Sequence, residues 1–178
     1  VIALLCLACP MVLSAQDCPP ARDHSAELTR LIEGTQSARN EMGAQGFSEQ
    51  MWRLWLDAPD AQAQALLDKG MQQRRQADYE KALVSFDALV AYCPDFAEGY
   101  NQRAFVHFLS QDYDAALKDL DLAIDRAPRH IAALSGKALS LIGLKRDREA
   151  QVVLRKALRL NPWLSERRFL LETSEQEL

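Results

Sequence analysis

Apolar residues recur at helical spacing through the middle of the chain, in blocks that open on acidic turns and close on proline. The stretch ADYEKALVSFDALVAYCP, residues 77–94, is one such block. Its Ala82 and Pro94 return 34 residues on as Ala116 and Pro128, and again as Ala150 and Pro162. Cutting at that period gives three segments without a gap, 63–96, 97–130 and 131–164. Each begins with an apolar stripe: Leu66, Leu67 and Met71, then Tyr100, Phe105 and Phe108, then Leu134, Leu141 and Ile142. Small residues sit at matching places, Gly70, Ala104 and Ala138. A second stripe comes later in each segment, with Phe86, Leu89 and Val90, then Leu120, Ala123 and Ile124, then Leu154, Ala157 and Leu158. The recurring Ala82, Ala116 and Ala150 let two helices approach closely. The turns read ADY, QDY and KRD, whose acids suit a helix N-terminus, and each second stripe ends at a proline that cannot continue a helix. The pattern predicts three consecutive helical hairpins.

The flanks carry the same period less regularly. DHSAELTRLIEGTQSARNEM places Leu28, Leu31, Ile32 and Ala38 at helical spacing, and GAQG marks its end. A short second helix is expected from near Ser48, with Met51, Leu54, Trp55 and Leu56. Residues 25–60 therefore read as an N-terminal hairpin over the open end of the stack, with Phe47 where the alanine of the other hairpins would fall. Trp52 and Trp55 have two readings, core or cap packing and a ligand-facing aromatic pair; large aromatics at helical spacing favour the first. Residues 165–178 are expected to form a capping helix, with Trp163, Phe169 and Leu170 on the protein side.

A 34-residue helix-turn-helix unit with small residues at these positions resembles the tetratricopeptide repeat, over residues 61–164. The third segment is the least typical, because Asp147 stands where the others have Tyr79 and Tyr113. The resemblance implies an all-α solenoid whose concave groove, lined by the first helix of each unit, holds a segment of another protein. The matching groove positions are Leu67, Met71 and Arg74; Asn101, Phe105 and Phe108; and Ser135, Leu139 and Ile142. Repeats of this family that grip chaperone C-termini use Lys and Asn, whereas the matching positions here are Leu67, Met71, Gln102, Ala132 and Gly136, which sets that use aside. The expected role is a non-enzymatic adaptor that binds a protein or peptide partner. Self-assembly into a homo-oligomer, and service as an accessory subunit of an envelope or export assembly complex, are the alternatives.

Composition narrows the setting. A net charge of −4 disfavours nucleic acid as the main partner, since phosphate binding needs clustered Lys and Arg. Residues 1–15, VIALLCLACPMVLSA, carry no charge and end at a small residue, as the apolar region of a signal peptide does, although the positive region that opens one is missing. The run is shorter than a bilayer span, so no permanent membrane anchor is expected, and CLAC ending at Cys9 only loosely resembles a lipidation box. Export, into a bacterial periplasm, is the expectation, with 16–24 a flexible mature N-terminus. Cys18 and Cys93 would then be left, either as a disulfide or as a buried thiol and a free one. His24, His107 and His130 are isolated in sequence, with no partner at metal-ligand spacing, and His107 falls on an apolar helix face. The acids of KDLDLAID, residues 118–125, read as a solvated face. No phosphate loop, dinucleotide motif or nucleophile elbow occurs, so neither an enzyme nor a cofactor or metal is expected.

Overall fold

Three turns 34 residues apart set the architecture. Ala77, Gln111 and Lys145 each take a left-handed backbone, with φ of 58°, 60° and 61°. After each, the chain closes on the helix it has just left: the N–H groups of Asp78, Asp112 and Arg146 donate to the carbonyls of Gln73, His107 and Leu141. Orphan carbonyls at the helix end are thus satisfied while the chain reverses. In the first two turns the aspartate then caps the next helix, its side chain accepting from the N–H of Lys81 or Ala115. In the third, Asp147 already lies inside the helix and Arg146 occupies the cap position without a side-chain bond, so the acid of KRD does not cap.

The structure is a computed structural model that describes residues 17–171. Among those residues it forms α1 (Ser25–Ser37), α2 (Glu41–Trp55), α3 (Ala61–Arg75), α4 (Tyr79–Tyr92), α5 (Ala97–Leu109), α6 (Tyr113–Arg126), α7 (Ile131–Gly143) and α8 (Asp147–Leu160), then a 3-10 turn Ser165–Phe169. The fold is all-α, an α-solenoid of paired antiparallel helices: α3 pairs with α4, α5 with α6 and α7 with α8, while α4 packs on α5 and α6 on α7. The small residues work as closest approaches. A Cβ built on Gly70 would lie 2.5 Å from the Phe86 ring, so only glycine admits that fully buried phenylalanine. Removing Phe86 and Leu89 from water contributes about 2 kcal/mol each.

Three expectations are corrected. The break in the N-terminal hairpin falls at residues 38–40, where Asn40 caps α2 by accepting from the Gly43 N–H, and GAQG lies inside that helix. The hairpin also does not cover the open end beside the first repeat. Its Leu31, Ile32 and Met51 form one core with Ile131, Leu160 and Leu164 of the third repeat and its exit. Polar bonds hold it there: Thr35 Oγ1 donates to the Leu160 carbonyl at 2.9 Å, Trp163 Nε1 to the Thr35 carbonyl at 3.1 Å, and Asn161 Nδ2 to Ser48 Oγ at 3.1 Å. After Pro162 the chain makes only the 3-10 turn, and Leu170 is exposed rather than packed. Residues 1–15, read as a signal segment, and 172–178, the rest of the expected capping helix, lie outside the described residues.

Cys18 and Cys93 are joined by a disulfide with a Cα–Cα distance of 5.1 Å, which ties the chain before α1 to the end of α4.

Candidate functional site

Because the hairpin folds back onto the third repeat, one face of α2 looks across at the first helices of the repeats. Ala44, Ser48, Met51, Trp52 and Trp55 lie at three- and four-residue intervals and make one wall. The other wall comes from α3, α5 and α7, and residues 161–166 close one end. The cleft between them measures about 720 Å³.

Seven of the expected groove residues line it: Met71, Arg74, Asn101, Phe105, Phe108, Ser135 and Leu139. Two do not. Leu67 is fully buried in the core of the first repeat with Phe86 and Ala82, and Ile142 packs on Leu117, Leu141 and Ala150. Both sit on the side of their helix that meets its hairpin partner, a stripe contiguous with the groove-facing one. Trp52, 40% exposed, and Trp55 meet edge to face at 5.6 Å and both line the cleft, so the packing reading does not describe Trp52. All three tryptophans of the chain, with Trp163, belong to this lining.

The apolar walls hold polar groups with unused bonding capacity. Arg74 Nε, Gln102 Oε1, Ser135 Oγ and Ser140 Oγ are buried without a partner among the described residues, and all four residues line the cleft. Buried polar atoms are rarely left so, since each costs roughly 1–3 kcal/mol. The Arg74 guanidinium lies 4.6 Å over the Phe105 ring. Burial holds it below the ordinary arginine value, and the adjacent charge of Arg75 pushes the same way.

Beneath the cleft lies a pair that sequence reasoning missed. His130 and Glu98, each 1% exposed, meet through Nε2 and Oε2 at 2.7 Å. Asn101 Nδ2 and Gln102 Nε2 donate to the same carboxylate at 3.1 and 2.5 Å. His130 Nδ1 accepts the Ala133 N–H and caps α7, and Trp55 stacks on the imidazole at 4.4 Å. Every polar atom of the pair is engaged, so it pins α5, α7 and α2 together. Its only signal in the sequence is two ionisable residues near the starts of successive first helices. His107, by contrast, faces Asp112 and Asp119 at 4.0 Å, away from the cleft lining. Nor is KDLDLAID wholly solvated: Asp119 is 4% exposed and takes Arg103 in a two-pronged contact at 2.6 and 2.8 Å, which raises the arginine's pKa.

Among the described residues, no three His, Cys, Asp or Glu converge as a metal site, and no helix is long and apolar enough to cross a membrane.

Comparison with known proteins points one way. The tetratricopeptide repeat family model matches residues 97–130, the second repeat. A TPR repeat-containing protein of Rhizobium etli is 29% identical over 117 residues, which are 64% of this chain and 56% of that protein; the chain thus spans about half the length of this relative. Among solved structures, the TPR2B domain of yeast Sti1 in complex with an Hsp70 peptide superposes with a TM-score of 0.57 at 22% identity, over 61% of this chain and 90% of that one. The first TPR of Spaghetti (RPAP3), bound to the HSP90 peptide SRMEEVD, gives 0.59 at 22% identity over the same shares. At such identities the likeness is one of fold.

Proposed function

Since the chain is a tetratricopeptide-repeat protein, we propose that it is a non-enzymatic adaptor that binds a segment of another protein in the cleft between α2 and the concave face of the repeats. The observation that carries this reading is the coincidence, in one cavity, of exposed aromatic surface at Trp52 and Phe105 with four buried polar atoms that lack partners among the described residues. An apolar strip with a few convergent polar groups suits recognition of a polypeptide. Solved domains of this fold hold chaperone peptides, which supports the class of partner while leaving its identity open.

The test is in-cell cross-linking from a photoreactive residue at position 105, repeated with Leu139→Glu. A partner band from the first protein that disappears with the second, at unchanged helicity, is the expected result. A band that persists unchanged, or none at all, would remove the cleft as the binding surface.

Export belongs to the same proposal. The Cys18–Cys93 disulfide suits an oxidising compartment, and the uncharged residues 1–15 suit an export signal. Thiol trapping on native cells should find Cys93 protected until reductant is added; immediate labelling at full stoichiometry would argue for a reducing compartment.

A further inference from the structure

We infer that the outer face of α8 docks the end of the stack on an anionic lipid surface, its arginines and lysine meeting headgroup phosphates and its exposed aliphatic groups resting at the acyl boundary. The residues of this face are not part of the cleft lining, so the inference goes beyond the adaptor reading and does not depend on it.

Comparing one repeat with the next isolates the face. The exposed outer side of α4 holds Glu80, Asp87 and Ala91, and the equivalent positions of α6 hold Asp114, Asp121 and Asp125. In α8 the same three positions are Arg148, Arg155 and Arg159. Lys156 joins them, and at 3.6 residues per turn the four cations share about 100° of arc around Val152. Helix stability accounts for only part of this reversal. Arg159 in the last turn suits the helix dipole, but Arg148 sits in the first turn, where the dipole favours acids such as Glu80 and Asp114 supply in α4 and α6. Residues 145–168 carry eight Lys or Arg against three Asp or Glu, in a chain whose net charge is −4, so positive charge is gathered at this end of the stack.

The acids that border the face have other partners or lie at its margin. Glu149 is held by Arg146, Asp147 follows Lys145 and Arg146 in sequence, and Glu166 belongs to the cleft. Toward α6, Asp121 pairs with Lys137, and Asp114 acts on Arg146. On the α1 side, where Gln36 donates to the Arg159 carbonyl at 2.7 Å, the charges are Glu33 and Arg39. Arg167 is taken by Glu41, and Arg168 lies 4.8 Å over the Phe169 ring. Among the cations the exposed groups are aliphatic. Val152 is 68% exposed and Leu171 59%. Gln151, one turn from both Arg148 and Arg155, fixes the second of these alongside by bonding the Phe169 carbonyl and the Leu171 N–H. A bilayer surface offers phosphates and an acyl layer at one plane, which suits long cationic side chains set around aliphatic ones without any shaped pocket. A face for single-stranded nucleic acid would present aromatic rings for stacking. The acidic outer sides of α4 and α6 are repelled by the same surface, which turns the α8 end toward it.

The experiment is co-sedimentation with vesicles of phosphatidylglycerol mixed into phosphatidylcholine, and of phosphatidylcholine alone. It uses residues 16–178, which hold all the described helices and leave out the apolar residues 1–15 that would bind any bilayer. Binding to the anionic vesicles should be at least about tenfold tighter than to the neutral ones and should fall as salt is raised. Arg148→Asp, Arg155→Asp and Arg159→Asp together, which install the residues of α6, should remove at least about tenfold of it at unchanged circular dichroism. Lys69→Glu, Arg75→Glu and Lys118→Glu together change the net charge equally at exposed sites elsewhere and should cost less than about threefold. No preference for the anionic vesicles, or equal losses in the two triple variants, overturns the inference. So does displacement from the vesicles by polyglutamate or duplex DNA at equal concentration of negative charge, which would make another polyanion the partner. Binding that emerges only when Glu172, Glu175 and Glu177 are changed to Gln also overturns it, by showing that the chain's own acidic end occupies the face. None of these outcomes touches the cross-linking test at position 105, which decides the cleft separately.

Discussion

The left-handed residues Ala77, Gln111 and Lys145 show at the scale of one residue what a repeat demands without advertising it. Their side chains share no chemistry, so the 34-residue comparison that picks out Asp78 and Asp112 passes over the positions just before them. Only the backbone reveals the requirement, through the bonds that close each helix end. A residue with a Cβ holds this conformation at a cost of roughly 1–2 kcal/mol, while glycine accepts it and loses about 0.5–1 kcal/mol through its freer unfolded chain. Glycine at any of the three positions should therefore raise stability by up to about 1 kcal/mol in urea unfolding. Ala82→Gly, in the middle of α4 and at 0% exposure, should lower it by at least as much. A loss of stability at all three turns would show that their side chains contribute contacts beyond those described.

Glycine has the opposite meaning inside helices, and there the element decides. GAQG reads as a hairpin turn because two glycines in four residues interrupt a helical pattern, yet Gly43 and Gly46 are helical and the break is made by Asn40. A short polar side chain that caps is a stronger signal than a glycine that merely weakens, and here the cap sits only three residues ahead of the first glycine. The helical glycines also differ among themselves. A Cβ on Gly34 would lie 2.6 Å from the Phe47 ring and one on Gly70 2.5 Å from the Phe86 ring, whereas Gly46 has nothing within 4 Å. Phe47, which departs from the alanine of the repeats, thus makes with Gly34 the same kind of ring-on-glycine contact that Phe86 makes with Gly70. Gly70→Ala should cost about 1–3 kcal/mol by overpacking, partly recovered by Phe86→Leu, while Gly46→Ala should gain about 0.5–1 kcal/mol from helix propensity. Equal effects at the two sites in thermal unfolding would mean that the α3–α4 interface relaxes around the added methyl group.

At the scale of the molecule, periodicity foretells the stack and its groove-facing helices because each repeat meets only its neighbours. It cannot foretell that α1 and α2 reach residues more than a hundred positions away, as Thr35 does with the Leu160 carbonyl, and so the α2 wall of the cleft is not legible in the sequence. The same repeat logic bears on self-assembly. Asp87 of α4 meets Arg103 of α5, and one repeat later Asp121 of α6 meets Lys137 of α7, in the same geometry shifted by 34 residues. Extending the ladder by another step puts Arg155 of α8 where an aspartate is needed, and stepping back puts Lys69 of α3 at the receiving position. A second copy stacked end to end would set Arg155 against Lys69, two cations in place of an ion pair, and like charges brought together oppose such an interface. The exit of the stack is also occupied, since Gln151 of α8 donates to the Phe169 carbonyl at 2.9 Å and accepts from the Leu171 N–H at 2.9 Å. Light scattering on the purified chain should accordingly return a monomer mass that does not change with concentration, at low and at physiological salt alike. A mass that climbs with concentration and falls back when the N-terminal hairpin's Trp52 is replaced by alanine would instead place a second copy in the cleft.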